Sequence, residues 1–273
     1  MRLALLTVVA LVFLACNSLL TRAGVLDGTD PLSFAAVRVA AGAAVLAALA
    51  ARRGITVTGP RRLAAGAALV VYLLGFSLAY RTLDAGLGAL ILFATVQLGL
   101  LALSLLRGER SGPARLAGMA LALGGLVWLL LPGGGATADP LDAALMIAAG
   151  LAWAGYTFAG KFEPRPLAGT AGNFLVAVAA FALAAPLWWG GTLTPFGALM
   201  AVLSGGLASG IGYALLFRVL PRMGVATAGV LQLAVPVIAM AAGAALLGEV
   251  PDARAMASGA LVLSGIALAT LRS

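Results

Sequence analysis

Few side chains in this sequence could bind a solute or do chemistry from inside an apolar environment, and their spacing is informative. Arg38 is the one charge between Asp30 and Arg52. A charge in mid-span costs roughly 2.5–3.5 kcal/mol on insertion scales, so it must snorkel, pair or face water. Arg38 sits near one end of its apolar run, which leaves both snorkelling and guidance of a substrate carboxylate open. Gln232 stands four residues before Pro236. A proline ring excludes the carbonyl four residues before it, so that carbonyl and the glutamine side chain share one face. Lipid satisfies neither, and they must either line a wet cavity or pack as a kink against protein. Asn17, Gln97 and Gln232 each either bond a solute or bridge two helices, a bridge being worth on average only ~0.6 kcal/mol.

Aromatic residues add a second pattern. Tyr72, Phe76 and Tyr80 recur at four-residue steps, which puts them on one helical face. Tyr213 and Phe217 repeat the step, and Trp153 lies one turn from Tyr156, the near-counterpart of Asn17. Cavity walls would use such rings; an interfacial belt would equally use Tyr80 and Phe217, which end their runs. The expected substrate-binding set is therefore Asn17, Arg38, Tyr72, Phe76, Tyr80, Gln97, Trp153, Tyr156, Tyr213, Gln232 and Pro236.

All nine acidic residues, Asp27, Asp30, Asp84, Glu109, Asp139, Asp142, Glu163, Glu249 and Asp252, fall in loops or at the ends of apolar runs, and histidine is absent. A buried proton relay then has no carrier, and nothing embedded balances a cationic solute. Neutral or zwitterionic solutes are the expectation. Glu109 and Glu249 are expected to brace helix ends. With Cys16 as the single cysteine, no catalytic group, metal site or cofactor is expected. Gly155 to Lys161 reads GYTFAGK, the start of a phosphate-binding loop, but Phe162 replaces the Ser or Thr that would hold magnesium and no strand precedes it. Neither nucleotide nor nucleic acid is an expected partner.

These residues must be held by membrane-spanning helices. The chain is 63% hydrophobic and 10% charged, with a mean hydropathy of +1.11, far too apolar to cover a soluble globule. The 36 glycines suit closely approaching transmembrane helices, and the alternating polarity of a β-barrel is missing. Ten spans are expected, at about 3–21, 33–51, 63–81, 86–106, 114–131, 141–160, 170–189, 197–218, 225–247 and 254–271, each near the ~20 residues that cross the hydrocarbon. Arg2 and the run ending at Cys16 faintly resemble a lipoprotein signal, but the apolar run continues through Leu20, so a span is expected there.

The net charge of +8 and pI near 11 would suggest nucleic acid in a soluble chain. Here the basic residues crowd alternate loops. With a cytoplasmic N-terminus, Arg2, Arg52, Arg53, Arg61, Arg62, Arg107, Arg110, Arg115, Lys161, Arg165, Arg218, Arg222 and Arg272 fall inside, against Arg22, Arg81 and Arg254 outside. That bias predicts both termini in the cytoplasm.

The two halves repeat. GFSLAYRTL from Gly75 is matched by GYALLFRVL from Gly212, Glu109 by Glu249, and Gly125 by Gly265. Such a long repeat indicates duplication of a multi-helix unit, with repeats at 1–131 and 141–273 joined by a Gly/Pro-rich linker at 132–140. Five spans per repeat, an odd number, require the halves to be inverted. The expected fold is all-α and integral to the membrane, with ten transmembrane helices as two inverted five-helix repeats around a central cavity.

Asp30, Pro31, Leu32 and Ser33 leading to Arg38, Glu109 after span four, and Pro236 followed by Gly248, Glu249 and Gly265 together resemble the EamA-like branch of the drug/metabolite transporter superfamily. Val96 departs from that pattern, standing where the first repeat often carries the proline matching Pro236. The resemblance implies a ten-helix bundle of the inner membrane that exports small metabolites, amino acids among them. Inverted repeats suit alternating access directly. The rival readings are an intramembrane enzyme acting on a lipid-linked substrate, which would need an acidic cluster, and a structural or sensory membrane protein. The expected partners are a small-molecule substrate and the bilayer; oligomeric state is left open.

Overall fold

The computed structural model describes residues 2–108, 111–131, 139–187, 189–219, 232 and 234–271. Glu109, Arg110, Arg222 and Arg272, the linker stretch 132–138, most of the start of the ninth expected span, and the side chains of Phe217 and Arg218 lie outside the described residues.

Among the described residues all regular structure is helical. The order is α1 (Arg2–Leu26), α2 (Pro31–Ala50), α3 (Pro60–Ala79), α4 (Ala85–Leu106), α5 (Pro113–Leu130), α6 (Pro140–Gly160) and α7 (Pro166–Leu183). Then come α8 (Pro195–Val202), a π-helical stretch over Leu203–Ile211, α9 (Gly212–Val219), α10 (Ala234–Leu247) and α11 (Ala253–Leu271). Eight helices, with Pro195–Leu216 counted as one, are long and apolar enough to cross a membrane; Ala234–Leu247 and Ala253–Ala269 are shorter apolar helices. Leu63, Leu105, Leu183, Leu199, Leu246 and Met256 are exposed on the outside of the bundle, a surface that hydrocarbon covers and water does not. The chain is an integral, multi-pass membrane protein.

Local chemistry explains where the helices begin. Pro31, Pro60, Pro113, Pro140, Pro166 and Pro195 each occupy a first turn, where a missing N–H costs nothing and the fixed φ is already helical. The Asp30 carboxylate accepts from the Ser33 N–H at 2.8 Å, Asp139 from Leu141 at 2.9 Å and Thr194 from Gly197 at 2.9 Å, satisfying donors that a helix start leaves open. Helices therefore start ahead of the hydropathy-derived spans, most clearly α7, at Pro166 instead of 170. α1 continues past Cys16 to Leu26, beyond the expected end at 21. Hydropathy marks the apolar part of a helix, whereas caps and prolines mark its ends. α7 stops at Leu183, short of the expected 189, and a 3₁₀ turn follows at Ala185–Leu187. GYTFAGK is the last turn and C-cap of α6. With Val96 in place of proline, α4 runs unbroken.

Loop contacts define two ends of the bundle. At one, Arg22 meets Glu249 and Asp84, Arg81 meets Asp142, and Asp30 meets Thr192. At the other, Arg62 meets Glu163 and the Gly169 carbonyl, and Arg165 reaches the Arg53 carbonyl. Arg52, Arg53, Arg61, Arg62, Arg107, Arg115, Lys161 and Arg165 all lie at this second end. The first is called the acidic end below, the second the basic end.

Helix contacts are reciprocal. α3 packs on α6, and the α8–α9 rod packs on α1; α4 packs on α6, and α10 on α1; α3 packs on α7, and the rod on α2. α2 also packs on α7, α4 on α10 and α5 on α11. In the last pair Gly118 abuts Gly265 and Ala269 while Gly125 abuts Leu261 and Val262. Residue numbers rise on one helix as they fall on the other, so α5 and α11 run antiparallel, with glycines permitting backbone contact.

Candidate functional site

The centre of the bundle is organised by a close approach between α2 and the π-helical stretch. Gly205 touches the backbone of Arg38, where an added Cβ would overlap the Arg38 carbonyl, and Gly42 lies against the Gly205 carbonyl. This contact holds Arg38 in the interior. Its side chain is fully buried, at 0% exposure, so it does not snorkel to the interface.

The Arg38 guanidinium donates from Nη2 to the Tyr72 hydroxyl at 3.1 Å and to Ser209 Oγ at 3.4 Å. Its carbon stands 4.8 Å from the Phe76 ring centre and 5.5 Å from that of Tyr72, within cation–π range. Nε and Nη1 have no hydrogen-bond partner among the described residues, and the ion pairs formed there do not include Arg38.

Ser209 also donates to Asn17 Oδ1 at 3.1 Å, and Ser204 donates to the same oxygen at 2.9 Å. In an α-helix residues five apart point in different directions. In a π-helix each residue bonds the one five away, so they stack on one face. The π geometry thus lets Ser204 and Ser209 converge on Asn17. The Asn17 amide nitrogen is buried and without a partner among the described residues.

Around this polar group runs a connected series of rings. Tyr80 and Phe76 meet edge-on at 4.8 Å, Phe76 and Tyr72 lie 5.3 Å apart, and Tyr72 and Trp153 4.8 Å apart. Trp153 stacks on Tyr156 at 5.3 Å and contacts Tyr213 at 5.0 Å. Sequence spacing suggests two aromatic groups on opposite sides of the midplane. The described rings are joined in a single series, because Trp153 bridges α3 to α9, and the ring of Phe217 lies outside the described residues. Tyr80 is fully buried, away from any interfacial belt.

Gln97 and Gln232 are half-buried, and Pro236 is buried near the start of α10. The described hydrogen bonds do not join Gln97 to the Arg38 group. Backbone before Gln232 lies outside the described residues, so the expected kink at Pro236 is not described.

Two residues absent from the expected set complete the site. Asn173 accepts from Arg62 at 2.8 Å and donates to the Tyr156 hydroxyl at 3.3 Å, and Ser209 joins Asn17 to Arg38. Asn173 lies in an apolar run and could have been flagged as a buried amide. Ser209 could not, since its role depends on the π register.

A cavity of about 810 Å³ enters from the basic end, lined among others by Ala65, Ala68, Arg107, Tyr156, Phe162 and Asn173. Its inner wall includes Tyr156, where the ring series begins. The acidic end is braced instead. Arg22 donates to Glu249 at 2.6 Å and to the carbonyls of Tyr80 and Arg81 at 2.9 and 3.0 Å. Glu249 also accepts from the Ala85 N–H at 2.7 Å, and Arg81 pairs with Asp142 at 2.7 Å. The hollow beside Glu249 is about 170 Å³. Among the described residues, no three His, Cys, Asp or Glu side chains cluster to hold a metal.

This architecture has relatives. A protein of known crystal structure, 23% identical, aligns with a TM-score of 0.72 over 99% of this chain and 97% of its own, a likeness of fold. Protein PA1977 of Pseudomonas aeruginosa, itself described as uncharacterized, is 49% identical over 272 residues, covering 98% of this chain and 94% of its own length. Residues 142–271 match the EamA-like transporter family. With that match in its second half and a 49% identical relative along nearly its whole length, the chain belongs to the EamA-like transporter family.

Proposed function

We propose that this chain is an alternating-access transporter with ten spans in two inverted five-helix repeats, residues 1–131 and 141–273. It resides in the cytoplasmic membrane with both termini inside and carries small organic metabolites outward. The observation that carries this reading is the inequality of the two ends. A cavity of about 810 Å³ leads from the basic end to Tyr156, while Arg22, Glu249, Arg81 and Asp142 tie the acidic end together. Access from one side at a time is what alternating access requires.

The reciprocal contacts between the halves and the antiparallel α5–α11 pair support the inverted arrangement, because the α3–α6, α4–α6 and α3–α7 contacts each have a mate five spans away. The clustering of basic residues at the cavity end supports a cytoplasmic opening. In this reading Asn17, Arg38, Tyr72, Phe76, Trp153, Tyr156 and Tyr213 meet the solute, with Gln97, Gln232 and Pro236 in the facing walls and Tyr80 under the brace.

The test is flux of amino acids, nucleobases and sugars into proteoliposomes holding only this protein. Flux of at least one, above empty vesicles and saturable, is expected. No flux with any of them would refute the proposal.

A further inference from the structure

Resting on that transport reading, the chemistry at the bundle centre narrows the solute. Of the five N–H bonds of a guanidinium, the Nε and Nη1 groups hold three, and in Arg38 neither nitrogen meets an acceptor among the described residues. The neighbouring free group, the Asn17 amide nitrogen, is also a donor, because Ser204 and Ser209 both give their protons to Asn17 Oδ1. The partners that Arg38 does have, two hydroxyls and two ring faces, are all neutral. The described carboxylates stay near the two ends of the bundle, where Asp84, Asp142, Glu163 and Glu249 pair with other arginines.

A buried cation surrounded by free donors lacks one thing, an anion. A zwitterion would bring a carboxylate for Arg38, but its ammonium would compete with that same positive charge and find no carboxylate among the described residues. A cationic solute would be repelled outright. The rings of Tyr72, Phe76 and Trp153, spaced 4.8–5.3 Å apart, offer an apolar, π-rich wall beside the charge.

We propose that the solute is an organic monoanion, a carboxylate on an aromatic or apolar body, whose charge is received by Arg38 and the Asn17 amide while the body packs against the wall of rings. This revises the expectation of neutral or zwitterionic solutes. That expectation left Arg38 free to snorkel; buried at 0% exposure, it is instead a cation without an ion pair among the described residues.

A matched trio tests the charge alone: 3-phenylpropionate, phenylalanine and phenethylamine share a ring and chain and differ in net charge. Binding to the full chain in lipid nanodiscs, by equilibrium dialysis, should favour 3-phenylpropionate over phenylalanine by at least tenfold, with phenethylamine not bound. Arg38→Gln should weaken 3-phenylpropionate at least tenfold and erase the preference. Arg38→Lys, which keeps the charge, should preserve the order and shows that the site survives substitution. Currents on a supported membrane should follow 3-phenylpropionate, since passive crossing of the neutral acid moves no charge. Phenylalanine binding as tightly as the anion, or a folded Arg38→Gln protein that keeps the preference, would overturn the proposal. So would binding of none of the trio by protein that carries amino acids in proteoliposomes, and that outcome leaves the transport reading standing. No binding and no flux would overturn both.

Discussion

Glu249→Gln should release the acidic end. The carboxylate makes two bonds with two oxygens: Oε1 accepts from Arg22 at 2.6 Å and Oε2 from the Ala85 N–H at 2.7 Å. An amide has one oxygen, so it can accept one of these bonds and must oppose the other donor with its own N–H. The side chains of Arg22 and Glu249 are only 10% and 8% exposed, so water replaces little of the loss. One charge-assisted hydrogen bond is worth about 1.5–3 kcal/mol, which shifts a closed-to-open equilibrium by roughly ten- to a hundredfold. The readout is thiol labelling in nanodiscs, with Cys16→Ser removing the native thiol. Leu83→Cys reports the acidic end and Ala68→Cys the basic cavity. If the brace gates access, labelling at 83 should rise about tenfold or more in the Glu249→Gln background while labelling at 68 falls. Equal increases at both positions would mean that the pair merely holds the fold together, and the gating argument would fail.

Three other outcomes follow from the same contacts. Gly205→Ala should cost about 1–3 kcal/mol through overpacking against Arg38, seen as a lower thermal midpoint, whereas Gly206→Ala, whose Cβ would meet Val45 at an ordinary 3.5 Å, should melt like the parent. Tyr72→Ala or Gln232→Leu should cut flux at least about tenfold, a loss of more than ~1.4 kcal/mol of solute or transition-state binding, with folded yield largely intact; equal loss of yield would assign these side chains to packing. Flux should persist when an ionophore dissipates the pH gradient but leaves the potential, because the chain has no histidine and its acidic residues lie near span ends. Strong inhibition would expose a titrating group in the pathway.

Spanning helices were legible because hydropathy reports what lipid selects, and among the described residues eight helices are long and apolar enough to cross a membrane. The rings at 72, 76 and 80 could be put on one face from spacing alone. What could not be read was depth and direction. Arg38 looks able to snorkel in one dimension; only the Gly205 and Gly42 contacts, made across two helices, determine that it stays inside. Trp153 joins the rings of α3 to Tyr213 of α9 through tertiary packing, so two sequence clusters become one. Ser209 enters the site through a π register that hydropathy does not encode, since Gly, Ala and Ser pack similarly in either winding.

That π-helical stretch also sets where the protein can change length. A π turn uses more residues than an α turn for the same rotation. Losing one residue between 203 and 211 can therefore be absorbed by rewinding towards α, which keeps Tyr213 on its face but parts Ser204 from Ser209. The same deletion within α3 would swing the residues beyond it by about 100° and take Phe76 off its neighbours. In this molecule the polar lining and the aromatic wall are thus separately editable, and sequence drift can retune the first while sparing the second.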